Sequence, residues 1–140
     1  MRWVDEYFAA WARHAQAADP VDGSADRTRL LAFMDPAVRY EDVPTAQVFI
    51  GHDGVLRMGA LALQMAPDLR FTCVSAQESG EQFAFETETH GTAAATSTPF
   101  VLRGVSIGTR NADGKVVAHK DYWDLASYLR QVGAKPAPLP

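Results

Sequence analysis

Cysteine is nearly absent: Cys73 is the single thiol among 140 residues. That excludes an intrachain disulfide and a cysteine-built zinc site. Set in "RFTCVS", it reads as a small buried hydrophobe. Long hydrophobic runs are missing too, because polar residues interrupt every apolar segment well short of the roughly 20 residues a membrane helix needs. The N-terminal "MRWVDEYFAAWARH" carries acids where a secretion signal has its apolar stretch, so the expected location is the cytoplasm. Clusters of Lys and Arg are lacking, and 13 basic against 17 acidic residues leave a net charge of −4. Nucleic acids attract the opposite pattern. The four histidines, His14, His52, His90 and His119, show no metal-ligand spacing. "GHDG" and "NADG" are turns rather than phosphate-binding loops. No metal, cofactor, nucleic acid or membrane is implied.

What is present is an ordinary apolar content of 47% in a chain long enough for one core. Residues 1–134 read as one domain and 135–140 as a flexible Pro-rich tail. Trp3, Val4, Tyr7, Phe8, Trp11, Ala12 and Ala15 recur at helical spacing. This aromatic face either packs on a sheet or, in part, lids a pocket. "DPVDGS" breaks the chain, and Ser24 is a candidate cap for a second helix carrying Leu30, Leu31, Phe33 and Met34. Asp35-Pro36 is expected to stop that helix.

Val38, Tyr40 and Asp42 alternate as in a short strand, and "QVFI" makes another. A third helix is expected over 55–66, with Asp53 at its positive end and Pro67 after it. "LRFTCVSAQ", "EQFAFETETHG", "PFVLRGVSIGTR" and "KVVAHKDYW" then read as an antiparallel run joined by turns, of which "NADGK" is the strongest hairpin signal. A closing helix follows from Leu125 to about Val132, with Asp124 as cap and Gly133 as stop. Helices first and strands afterwards predict an α+β fold: a curved antiparallel sheet with N-terminal helices on its concave face, a short C-terminal helix, and a pocket between the layers.

Within the last strand, alternation sets Val117, His119, Asp121 and Trp123 on one face. Asp121 has no cap to make there, unlike Asp124. Facing the pocket, it would be desolvated and raised above about 3.9, as suits a general base. Facing water or a cross-strand Arg, it would be an ordinary surface acid. Periodicity leaves both open.

The order of elements resembles the nuclear transport factor 2-like superfamily, a cone-shaped α+β fold with a deep pocket. "NADGKVVAHKDYWDLASYLRQVG" is similar to the closing segment of SnoaL-like proteins, and "RYEDVP" followed by "FIGHDGV" is also like that family. Two motifs resemble limonene-epoxide hydrolases, which have Tyr-x-Asn-x-Pro on the first strand and Arg-Asp-Tyr-Phe-Asp on the last. Here they read Tyr40-Glu41-Asp42-Val43-Pro44 and Lys120-Asp121-Tyr122-Trp123-Asp124. The resemblance implies Asp121 as the base that deprotonates water, with Tyr40 and Asp42 holding that water. It also implies a small apolar substrate and a homodimer through the outer face of the sheet.

Two departures matter. Asp42 stands where those hydrolases have Asn, so two carboxylates could share the pocket and titrate together. Their middle-strand Arg-x-Asp is replaced by "FETETHG". If Glu86, Glu88 and His90 face inward, Glu88 or Glu86 replaces the missing acid, with His90 beside it. If Phe83, Phe85, Thr87 and Thr89 face inward, the wall is apolar. The expected substrate-binding residues are Trp123, His119, Glu88 and His90. SnoaL-like polyketide cyclases imply an alternative, in which Asp121 takes a proton from carbon beside a carbonyl. Their accompanying histidine is not in "FVLRGVSIG", where Ser106 stands, and His119 is the substitute. The two strand motifs favour epoxide-hydrolase-like water addition over cyclisation or isomerisation. A ligand-binding domain without turnover is the further alternative.

Overall fold

Trp3, Tyr7 and Trp11 recur every fourth residue, and the helix they imply forms as α1, Trp3–Gln16. The computed structural model describes residues 1–16 and 23–133, so the tail expected at 135–140 lies outside the described residues. The remaining elements are α2 (Gly23–Leu31), β1 (Met34–Asp42), β2 (Gln47–Ile50), α3 (Gly51–Met65), β3 (Arg70–Ser79), β4 (Gln82–Ala93), β5 (Thr98–Arg110), β6 (Val116–Trp123) and α4 (Leu125–Gln131). Among the described residues no helix is long and apolar enough to cross a membrane.

One curved, unclosed sheet of six strands runs β2-β1-β6-β5-β4-β3. Every neighbouring pair is antiparallel except β1 and β6, which run parallel. That pair places the end of the first strand beside the end of the last, where the site forms. The hairpin between β5 and β6 follows its sequence. The Asn111 side chain accepts from the backbone N–H groups of Asp113 and Lys115, each at 3.0 Å, and Gly114 takes a φ of +75° that few side chains tolerate.

Three details differ from expectation. Asp35-Pro36 does not end α2, which stops at Leu31. The pair lies inside β1, at a register break between Met34 and Arg39. A bulge accommodates proline because no ladder hydrogen bond is asked of it there. The Asp35 carboxylate accepts from the N–H of Ala37 at 2.9 Å and steadies the bend. Next, α3 begins at Gly51 rather than Val55, so "GHDG" forms its first turn. Finally, β6 carries a bulge. Thr109 pairs with Ala118 and Arg110 with Val116, which leaves Val117 unpaired. Val116 therefore points into the core at 0% exposure, and Val117 does not. From His119 onward the expected alternation holds. Ser24, the expected cap of α2, has a side chain outside what is described.

Tyr7 sits at the centre of the core, with ring centroids 5.0 Å from Trp3, 5.3 Å from Phe83, 5.6 Å from Phe33 and 5.8 Å from His119. Close approach of β5 to this cluster requires Gly108. A Cβ there would stand 2.5 Å from Cζ of Phe83 and 2.2 Å from the Ala118 carbonyl oxygen. The aromatic face of α1 thus does both things foreseen for it. Trp3 and Tyr7 pack in the core, while Phe8 and Trp11 turn toward a cavity between helices and sheet.

Candidate active site

Strand register builds the site. Asp121 on β6 is paired with Ser106 on β5 and with Asp42 on β1, and two residues earlier His119 is paired with Tyr40. Side chains at paired positions share a face, so Tyr40, Ser106, His119 and Asp121 converge. The Tyr40 and His119 rings stack at 4.6 Å.

The Asp121 carboxylate is held on both oxygens. Ser106 Oγ donates to Oδ1 at 2.5 Å, and His119 Nε2 lies 2.8 Å from the same oxygen. The Tyr40 hydroxyl donates to Oδ2. Behind this, the Tyr7 hydroxyl lies 2.8 Å from His119 Nδ1. With the carboxylate ionised, a neutral histidine satisfies the chain in one way: Tyr7 O–H donates to Nδ1 and Nε2–H donates to Asp121. Tyr7 and His119 are buried, at 0% and 1% exposure. Burial pushes the His119 imidazole down to about 3 and the Tyr7 hydroxyl well above its usual range, so both stay neutral and rigid.

Asp121 keeps a quarter of its side chain accessible, 26%, and that part faces the cavity. Removal from bulk water pushes its carboxyl up to about 8. The donors around it favour the anion and act against that rise. An ionisable carboxyl of raised basicity, fixed in orientation and open on one side, is what a general base requires.

The cavity measures about 300 Å³. Its walls are largely apolar and aromatic, with Phe8, Trp11, Phe49, Phe71, Phe85 and Phe100 among them. Short helix α4 contributes Leu125 and Tyr128 to the lining, and Tyr128 packs edge-on to Phe100 and Trp123.

The expected site residues divide. Asp121, Tyr40, Asp42, His119 and Trp123 all line this cavity. Asp42, however, makes no hydrogen bond to Asp121. Trp123 Nε1 donates to its Oδ1 at 2.7 Å, and Thr45 donates to its Oδ2. Asp42 thus seats the Trp123 wall. Glu88 and His90 do not line the cavity, which corrects their expected placement. The pleat of β4 turns Phe85, Thr87 and Thr89 inward and leaves Glu86, Glu88 and His90 on the outer face. There Glu88 and His90 pair with each other at 2.7 Å.

Sequence reasoning did not reach Tyr7, Thr45 or the contact of Ser106 with Asp121. Ser106 gave a partial signal, as a polar residue on the inward alternation of Phe100, Leu102 and Gly104. The Tyr7 hydroxyl gave none, since its spacing marks only a core position.

A cone-like sheet closed over by helices, with an acid from the last strand in its pocket, defines the class, and the sequence agrees. Residues 4–119 match the SnoaL-like domain family, and the chain belongs to that family, within the nuclear transport factor 2-like superfamily. No curated protein matches the chain. Among solved structures, a hypothetical protein with a ketosteroid isomerase-like fold from Catenulispora acidiphila DSM 44928, in complex with trimethylamine, is similar at a TM-score of 0.78. It shares 20% identity over 96% of this chain and 99% of its own. A protein named as a SnoaL-like polyketide cyclase from Jannaschia sp. CCS1 gives 0.74 at 15% identity, covering 97% of each chain. TerC, co-crystallised with polyporic acid, gives 0.71 at 16% identity over 92% of this chain and 99% of its own.

Proposed function

We propose that the protein is a cofactor-independent enzyme in which Asp121 removes a proton from carbon beside a carbonyl of a small, largely apolar molecule. The observation that carries this reading is the Asp121 carboxyl itself: raised by burial, gripped by Tyr40, Ser106 and His119, and open toward an apolar cavity. The carboxylate takes the proton, and the C–H electron pair becomes an enolate. The enolate carbon then attacks a second carbonyl or is reprotonated elsewhere. Asp121 returns its proton to the new alkoxide or carbon, so the cycle needs no other reagent. Cyclisation and isomerisation both follow this scheme. The name of one similar structure, a SnoaL-like polyketide cyclase, supports chemistry of this kind, and TerC co-crystallised with polyporic acid supports a small-molecule ligand.

Water addition to an epoxide is the second reading. The Tyr40 hydroxyl beside the Asp121 carboxylate favours it, since the strand motifs imply that these two residues act on one water. It lacks a carboxylic acid on β4 to protonate the opening oxygen, because that strand turns Phe85, Thr87 and Thr89 to the cavity.

The test is proton exchange at carbon. A panel of cyclic and linear ketones and 1,3-diketones in D₂O is followed by NMR with the wild type and Asp121→Asn. Exchange by the wild type that falls by about 10²–10⁴-fold in the variant is the expected result. A folded wild type that exchanges nothing overturns the enolate reading. Diol formation from epoxides in its place transfers Asp121 to the hydrolytic scheme.

We also infer a homodimer through the outer sheet face. Val101, Val105, Ile107 and Tyr122 are each 38–45% exposed there, more apolar side chain than a lone surface strand pair needs to show. Sedimentation equilibrium at micromolar concentration is expected to give twice the chain mass, and a monomer contradicts it.

A further inference from the structure

His14 stands in the last turn of α1, outside the group around Asp121, and lines the same cavity. Trp11, one turn earlier, packs its ring 5.6 Å from both Tyr40 and His119. His14 therefore continues the same wall, about 4.5 Å further along the helix axis. Its neighbour on α3 is Gly59, where a Cβ would come within 3.2 Å of Nε2. The glycine leaves room for the imidazole between the two helices. Met58 and Ala62, on either side of Gly59, present only apolar groups to the cavity.

Among the described residues His14 Nδ1 has no hydrogen-bond partner, although it is buried. An unpaired polar atom inside a protein is costly and calls for an explanation. Burial and the Arg27 charge on α2 favour the neutral ring, while Asp26 opposes them. A neutral imidazole offers one donor and one acceptor, and both His14 and Gly59, against which its Nε2 lies, line the cavity. In addition to the threonines that β4 turns inward, His14 gives a polar position on the helical wall, away from Asp121, which fits a ligand with two separated polar groups. The cavity, about 300 Å³, equals roughly ten waters at about 30 Å³ each, room for two fused rings.

We propose that His14 is a second substrate-binding residue, hydrogen-bonding a hydroxyl or carbonyl oxygen of the ligand remote from the carbon that Asp121 deprotonates. This rests on the enolate reading for the position of the acidic carbon, and binding is measured separately from turnover so that the two can fail independently.

Two probes differ by the remote oxygen alone: 1-tetralone and 6-hydroxy-1-tetralone. Their affinities are read from quenching of tryptophan fluorescence, since Trp11 and Trp123 both line the cavity. Wild type is expected to prefer the hydroxylated probe. His14→Phe keeps the ring's bulk and is expected to lose about tenfold in affinity for 6-hydroxy-1-tetralone while holding 1-tetralone unchanged. His14→Gln, which can still donate and accept, restores most of the preference. Equal losses for both probes, no loss for either, or no binding of either by the folded wild type each overturn the proposal. Asp121→Asn keeps the preference between probes if the inference holds. Intact preference in a wild type that never exchanges protons isolates the fault in the enolate reading instead.

Discussion

Ser106 and Tyr40 grip opposite oxygens of one carboxylate, and each can be removed without moving the backbone. A donor to the ionised form lowers a carboxyl's proton affinity, so these two set how far burial raises Asp121. Ser106→Ala deletes one donor and leaves burial in place. The acidic limb of the pH–rate profile is expected to move to higher pH by about one unit, with reduced turnover near neutrality. An unmoved profile would detach Ser106 from the base. At this scale the sequence was partly legible. Asp121 stood out because an acid inside a strand has no cap to make, and Tyr40 came with a motif. The oxygen that Ser106 touches depends on cross-strand register, which one strand's sequence does not carry.

Elements were legible where local chemistry decides them and obscure where pleat and bulge do. Asp124 caps α4 as its position implied, accepting from the N–H of Ser127 at 3.0 Å. No residue of α4 is fully buried, so the helix leans on this cap, on Tyr128 against Phe100 and Trp123, and on the Gln131 amide, which pairs with both backbone groups of Val101 at 2.8 and 2.9 Å. Asp124→Ala is expected to cost about 1 kcal/mol in urea unfolding and to speed amide exchange through α4. Unchanged exchange there would mean that Tyr128 and Gln131 dock the helix without the cap. In β4, by contrast, the sequence alternates Phe with Glu and fits either orientation. Contact with the aromatic face of α1 chose the Phe side. In β6 the bulge at Val117 exchanged which valine is buried, and pairing with Thr109 and Arg110 settled that.

For the whole molecule, the buried pair makes stability depend on pH with opposite signs. The folded Asp121 carboxyl lies near 8, above its unfolded value of about 3.8. Its contribution is full below pH 4 and is lost as pH rises toward 8. The folded His119 lies near 3, below its unfolded 6.5. Its contribution is full above 6.5 and is lost as pH falls toward 3. Between about 4 and 6.5 the two slopes cancel, and above 6.5 only the Asp121 loss remains. The wild-type melting temperature is therefore expected to fall from pH 6.5 to 8 relative to Asp121→Asn, whose amide does not titrate. Parallel curves for the two proteins would contradict the raised carboxyl. The α+β order of elements was readable along the whole chain because helices and strands segregate in sequence. The parallel contact of β1 with β6, which assembles the site, joins segments some 80 residues apart and becomes visible only in the fold.

The central claim, that Asp121 is a base acting on carbon, is tested most directly by the exchange of ketone α-protons in D₂O across pH 5 to 9. Wild type is expected to catalyse exchange with a rate that rises with pH toward a plateau set by Asp121, and Asp121→Asn to lose it while keeping its fold and its ligand affinity. Equal exchange by the two proteins, or none by either, would contradict the account.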